Sequence, residues 1–405
     1  MNGESAESQA NTRQKYLGDR GLIALIVLLS AFVPISTDLY LPALPGMSDY
    51  FQVSGDLTNL TLILFFIFFS LGMLIWGPLS DKYGRRPVLL AGLVLYIAAS
   101  AACALSGNIW ILIVARVLQA IGGSAAFAVA TAIVKDVYTG KRQESVLALV
   151  QAMVVIAPAV APVLGAFMLP YTSWRGIFWT LALIGVVSLA CGLMLEETVP
   201  ACFTGTMVQS VRRLGAVLKN RSFAALLVVF SLTMVTLLAF VAASSYIFEQ
   251  GFGLSEQTYS FYFALNALGL LSGPFIYLWL CRHFRRSPII IFSFIVMIAG
   301  GLLVCLFGTA GPLIFSLALL PAAIMGSCVR TPGTFLMLDQ QSEDTGSAAA
   351  LINSAGLILG TVGMVLVSLD TTSVLLIGVL NVIIGAACLI GWLLIVKSGL
   401  VRISS

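Results

Sequence analysis

Charge is what this sequence has least of: 9% of its 405 residues are charged, against roughly 25% in a soluble domain. Too little polar surface exists to cover a water-facing globule. There is one histidine, His283, in a basic loop where it reads as solvated, and there are seven cysteines: Cys103, Cys191, Cys202, Cys281, Cys305, Cys328 and Cys388. No CxxC or CxxH spacing occurs, so a structural metal is not supported, and the cysteines read as small apolar helix residues. No nucleophile–base set or phosphate loop lies within the apolar runs. That argues against an enzyme, and no cofactor is implied. Alternating strands of about ten residues are missing, which excludes a barrel. The net charge of +4 is spread over short loops with no basic stripe, so no nucleic-acid partner is expected. The largest loop, about 25 residues, is too small for a receptor's extramembrane domain.

What is present is apolar helix. Hydrophobic residues make up 60% of the chain, and runs near the ~20 residues needed to cross a bilayer recur along its length. They predict twelve spans, at roughly 20–44, 58–79, 88–106, 109–135, 144–168, 174–195, 222–248, 257–280, 288–308, 312–338, 345–368 and 373–397. With the N-terminus started in the cytoplasm, alternation delivers 18 of the 21 Lys and Arg to the inner side. Only Arg175 falls outside, and Arg116 and Arg330 fall within spans. The positive-inside rule then puts both termini in the cytoplasm. The first span reads as an anchor that stays, with no cleavage site. The expected organisation is a cytoplasmic tail at 1–19, a six-helix bundle at 20–195, a linker at 196–220, a second six-helix bundle at 221–397 and a tail at 398–405.

The halves look like weak repeats. Each second-to-third connection is basic, at 81–87 (DKYGRRP) and 282–288 (RHFRRSP), and each follows a Gly-Pro pair, Gly77-Pro78 or Gly273-Pro274. The strongest local signal is residues 72–87, GMLIWGPLSDKYGRRP. Gly72 and Gly77 are expected to let another helix approach closely, and Gly84 to allow a turn with positive φ. Asp81 can accept from backbone donors at a helix N-terminus. Arg85 and Arg86 can pair with an acid on the inner side, where Asp136 is available.

This segment resembles the signature loop of the major facilitator superfamily. The resemblance continues in 116–126 (RVLQAIGGSAA), 174–178 (WRGIF) and 346–351 (GSAAAL), and covers essentially the whole chain. It implies an all-α membrane protein, with twelve transmembrane helices in two pseudo-symmetric six-helix bundles. It also implies that Asp81 docks on span eleven while the arginines latch the inner side. Span five carries APAVAPVLGA at 157–166. There Pro158 and Pro162 remove helix hydrogen bonds on one face, and small residues up to Gly165 allow tight packing. The segment looks like the antiporter motif of the superfamily's exporters, with Ala157, Ala161 and Ala166 where that pattern has glycines.

One acid stands inside a span. Asp38 lies in 34–45, PISTDLYLPALP, while nearly all other carboxylates fall in loops, tails or helix ends. A charge at such a place costs on the order of 2.5–3.5 kcal/mol by insertion scales unless it is paired or hydrated. Low dielectric favours a neutral carboxyl and a nearby cation favours the charged one, so a group pulled both ways can load and release a proton. Arg116 is the expected partner, because helix counting puts both residues roughly 9–11 Å below the outer boundary. Gln119, one turn along, is expected to donate to Asp38. The other reading of the pair is a static ion pair joining spans one and four.

Span one, together with 242–248 (AASSYIF) and 261–266 (FYFALN), looks like the Bcr/CflA group of drug:proton antiporters. Arg330 departs from that pattern; a cationic cavity would suit anions. The aromatic runs at 65–69 and 261–263 are expected to face lipid or neighbouring helices. Asn59, Gln151, Tyr246, Asn266, Arg330 and Asn353 are the candidate cavity residues. The resemblance implies a monomeric multi-pass protein of the bacterial inner membrane that exchanges protons for small amphipathic drugs, a multidrug efflux function. The alternative is a proton-coupled transporter of one metabolite, such as an amino acid, sugar or organic anion.

Overall fold

The computed structural model describes residues 14–199, 207–341, 345–399 and 401. Residues 1–13 of the tail, Cys202, Arg402 and the side chains of Gln151 and Arg212 lie outside the described set. Helix is the only regular secondary structure among the described residues. Span one is assembled from α1 (Gly18–Ser30), α2 (Phe32–Asp38), a 3-10 turn (Leu41–Ala43) and α3 (Leu44–Phe51), with a bend of 41° after the first piece. Pro34, Pro42 and Pro45 explain the breaks, since each lacks an amide donor and crowds the preceding turn. Spans two to four are α4 (Gly55–Tyr83), α5 (Arg85–Ala104) and α6 (Ile109–Val137).

A single run, α7 (Gly140–Leu193), has 54 residues. At 1.5 Å per residue that is about 80 Å, far more than the ~30 Å hydrocarbon core. Ser173, at φ 56 and ψ 179, divides it, and the two parts are spans five and six. Pro158 and Pro162 are carried inside the first part without leaving helical geometry.

The connection between halves contains α8 (Met207–Leu218), a helix in what the sequence suggested only as a linker. Span seven is α9 (Arg221–Ser231) and α10 (Thr233–Ser245), closed by a π-helical turn (Tyr246–Gly251). The remaining spans are α11 (Glu256–Leu280), α12 (Arg286–Phe307), α13 (Pro312–Asp339), α14 (Thr345–Ser368) and α15 (Val374–Ser398). Among the described residues ten helices are long and apolar enough to cross a bilayer, the bent first span makes eleven, and the break at Ser173 makes twelve.

The connections sort to two ends. Arg175 donates to the Tyr50 hydroxyl at 3.0 Å and the Ser106 carbonyl at 3.2 Å, and lies 4.4 Å from the Trp174 ring. The first, third and fifth connections therefore meet at one end. At the other, basic end, Asp19 pairs with Arg142 and accepts from Tyr138 at 2.9 Å.

Packing repeats between halves. Helix α6 receives α4 and α5 as α13 receives α11 and α12, and α5 packs on α7 as α12 packs on α15. The repeat reaches single atoms. A Cβ added to Gly165 would stand 1.8 Å from the Leu39 carbonyl oxygen of span one, and one added to Gly363 would stand 2.0 Å from that of Val235 in span seven. Ala157, Ala161 and Gly165 recur every four residues, the small-residue stripe that lets helices approach to backbone contact. The halves meet where α4 packs on α14 and α7 on α11.

Gly77 departs from expectation, since nothing lies within 4 Å of a Cβ placed there, whereas Gly72 would meet the Ser124 hydroxyl at 2.1 Å. Gly165→Ala is expected to lower the melting temperature of the purified protein by roughly 1–4 °C, the effect of overpacking against immobile backbone. Gly77→Ala should change it little. Equal melting of the two variants in a tryptophan-fluorescence ramp would refute the backbone contact at Gly165.

Candidate functional site

The break in span one places two charged side chains deep in the first half. Asp38 ends α2 and is 6% exposed. Its carboxylate accepts from the Thr37 hydroxyl at 2.9 Å. Arg116 on α6 is fully buried. Contrary to expectation, the two form no ion pair with each other, whereas Arg85 pairs with Asp81 and with Asp136, and Arg142 with Asp19. Arg116 Nη1 donates instead to the Ser36 carbonyl at 3.0 Å and to Gln119 Oε1 at 2.5 Å.

Chain geometry supplies the reason. Ser36 lies in the last turn of α2, where carbonyls lose their i+4 amide donors, and a cation at a helix C-terminus is favourable. The arginine is spent on backbone that the end of α2 left short of donors.

The rest of the guanidinium faces aromatic rings. Its carbon lies 4.3 Å from the Phe65 centroid, 4.5 Å from Tyr40 and 5.7 Å from Phe178. Cation–π contact compensates where no acceptor is available, and Nε and Nη2 have no hydrogen-bond partner. Gln119 also departs from its expected role. Its Nε2 donates to Ser100 at 2.7 Å, not to Asp38, and Ser100 donates to the Tyr96 carbonyl at 2.7 Å. Tyr96 and Ser36 share a hydroxyl–hydroxyl bond of 2.6 Å. A buried polar network thus ties spans one, three and four together, with Asp38 beside it and without a counter-charge.

At the basic end, the signature loop forms a charge cluster. Arg85 donates to Asp136 at 2.8 Å and to the Ser80 hydroxyl at 2.7 Å, and it pairs with Asp81. Asp81 was expected to cap a helix N-terminus, but Glu197 does so. Glu197 accepts from the backbone amides of Arg85 at 2.8 Å and Arg86 at 3.2 Å, the first donors of α5. Gly84, at φ 99, makes room, because a Cβ there would meet the Glu197 carboxylate at 2.5 Å. Arg86 donates to the Leu193 carbonyl at 2.8 Å instead of to an acid. The sequence signal for Glu197 was an acid just beyond span six, next to a donor-rich helix start. Asp81 was expected to dock on span eleven; its ion pair is with Arg85, and residues 342–344, which precede that span, lie outside the described set.

The candidate cavity residues separate into groups. Asn59 and Tyr246 are buried where the two halves meet. Asn59 donates to Ser368 at 3.2 Å and Tyr246 bonds Ser48 at 3.2 Å, and both bonds join the two halves at the end opposite the basic loops. Gln257 adds a bond to the Ala166 carbonyl at 3.1 Å. At mid-depth Ser70 and Ser354 donate reciprocally to each other's carbonyls, at 3.2 and 3.3 Å. Asn353 is exposed on α14. Asn266 and Arg330 do share the lining of a small, partly open pocket among α10, α11, α13 and α15 of the second half. Of the aromatic runs, Phe65, Phe66 and Phe69 are buried against neighbouring helices and Phe261 is exposed, the two placements expected.

Twelve crossings, an internal six-plus-six repeat and buried charge at depth define a membrane transporter of two pseudo-symmetric halves. The chain belongs to the major facilitator superfamily, whose family model matches residues 26–364. It is 31% identical to the uncharacterized MFS-type transporter YdgK of Bacillus subtilis (strain 168), over 91% of this chain and 94% of that protein. It is 29% identical to the multidrug resistance protein MdtL of Escherichia coli O17:K52:H18, over 70% of this chain and 72% of that one. The crystal structure of a D-xylose-proton symporter superposes with a TM-score of 0.72 at 15% identity, covering 92% of this chain and 97% of that one; at that identity the likeness concerns the fold.

Arg116→Leu removes the donor to Ser36. The orphaned carbonyl is expected to cost about 1–3 kcal/mol, read as a lower melting temperature of the purified protein. An unchanged melting curve would mean that the carbonyl has another donor.

Proposed function

We propose that the chain exports small amphipathic compounds in exchange for protons, as a drug:proton antiporter of the Bcr/CflA type. Asp38 carries the proton, and Arg116 and Gln119 hold the broken helix that positions it. One observation supports this most: Asp38 is buried at a helix break with a single hydroxyl donor and no cation. A carboxylate left so is costly within a bilayer, and an arriving proton removes the cost. As access alternates, the carboxyl loads from one side and discharges to the other.

The hydrogen bonds that join the halves opposite the basic loops correspond to a state closed on the outside. The cluster of Asp81, Arg85, Arg86 and Asp136, with Gly77 and Gly84 in its loop, acts as the inner latch. The stripe around Pro158, Pro162 and Gly165 seals span five against span one. The bundles are assigned to 20–195 and 221–397, with a linker at 196–220, tails at 1–19 and 398–405, and both termini in the cytoplasm of a bacterium, in its inner membrane. The protein acts as a monomer. The name of the MdtL relative supports export of drugs. Transport of a single metabolite is the second reading, favoured by Arg330 in the second-half cavity.

Everted vesicles test the first reading. With an imposed pH gradient, wild-type protein should move chloramphenicol or a fluorescent lipophilic cation, and Asp38→Asn, at equal expression, should lose at least about 90% of that rate. Normal gradient-driven transport by Asp38→Asn would remove Asp38 from the coupling step.

A further inference from the structure

The second-half pocket contains a cation that no described side chain neutralises. Arg330 sits on α13, 19 residues into a helix of 28, which places it a few ångströms past the middle of the membrane toward the basic end. Its side chain is exposed and contributes to the pocket lining, alongside Leu237, Phe240 and Leu319. Among the described residues it makes no ion pair and no hydrogen bond. None of the cavity's lining residues is acidic. The acid on its own helix, Asp339, is nine residues away, about 13 Å along the axis.

A second side chain in the same wall is also incomplete. Asn266 is 1% exposed; its Nδ2 donates to the Tyr262 carbonyl at 3.1 Å, while its Oδ1 has no partner. The cavity therefore offers one cationic donor, one unused acceptor and an apolar wall. Arg116 makes a contrast: its Nη1 is taken by a carbonyl and an amide oxygen, and its face lies against aromatic rings.

We propose that this cavity is a substrate subsite for amphipathic monoanions: an apolar body against Leu237, Phe240 and Leu319, a carboxylate or similar anion on Arg330, and an N–H or O–H of the ligand on Asn266. The inference rests on the exporter reading and narrows its substrate class. An unpaired intramembrane arginine marks a ligand path, and its fork matches a carboxylate in two-point contact. Charge movement follows from the chemistry. One anion out for one proton in moves two positive charges inward, whereas a neutral substrate moves one. An inside-negative potential should therefore speed export of the anion more than that of its neutral analogue.

The test uses the full chain purified in detergent and two matched pairs: hippurate with hippuramide, and naphthalene-2-carboxylate with its amide. By calorimetry, at least one carboxylate should bind ten-fold or more tighter than its amide. Arg330→Gln should abolish that preference, and Arg330→Lys should restore part of it. Both variants must match the wild-type elution profile, and Arg330→Lys serves as the folded control should Arg330→Gln fail. Equal binding of both members of both pairs, or no carboxylate binding, overturns the proposal, as does a preference that survives in Arg330→Gln. Binding needs no gradient, so it separates the two readings. Carboxylate binding through Arg330 without gradient-driven efflux would sink the exporter reading alone. Efflux of neutral compounds that is indifferent to Arg330→Gln, with no anion preference, would sink the anion subsite alone.

Discussion

A guanidinium bonded to one backbone carbonyl carries the architecture of the first half. In hydrocarbon, every peptide group needs an internal partner, yet span one contains Pro34, Pro42 and Pro45 and breaks into three helices. The break is tolerable because Arg116 reaches across from α6 to Ser36. The arginine is in turn held by Gln119, Ser100 and the faces of Tyr40 and Phe65. Asp38 owes its place to this arrangement, because the chain turns there and not elsewhere. A straight span one would align the same residues along a helix face and leave Arg116 in need of another acceptor.

The close contact at Gly165 belongs to the same design. The Leu39 carbonyl, next to Asp38, abuts the backbone of α7 with no side chain between. The acid thus sits between a cationic brace on one side and a helix at contact distance on the other. The second half copies the backbone contact through Gly363 and Val235 but has no brace of this kind, and its arginine is left facing space. A single duplicated scaffold supports two chemically different walls.

Much of the fold was legible because bilayer thickness and loop charge constrain the sequence strongly. Span lengths, the even count and the break near Ser173 all follow from runs of apolar residues and from Arg175 standing apart. Helix α8 was not foreseen, since its short amphipathic pattern lies in a connection too polar to read as a span. The site was legible in its residues but not in its bonds. Depth counting put Asp38 and Arg116 level, but depth says nothing of where a side chain turns, and a carbonyl acceptor leaves no mark in the sequence. Asn59 and Tyr246 stood out as polar groups amid apolar ones, which identifies a contact across the halves as readily as a cavity wall. Glu197 was passed over because its role depends on the N-terminus of α5, distant in the chain.

The reciprocal bonds between Ser70 and Ser354 sit at mid-depth on the helices where the halves meet. If the halves rock, this pair lies near the fulcrum and hardly travels, while the contacts at Ser48, Asn59 and Gln257 lie at the end of the lever and must part. A hinge pin of this kind is present at both limits of the swing. It therefore has little influence on which limit is preferred, but it keeps the rotation from becoming a separation of the halves.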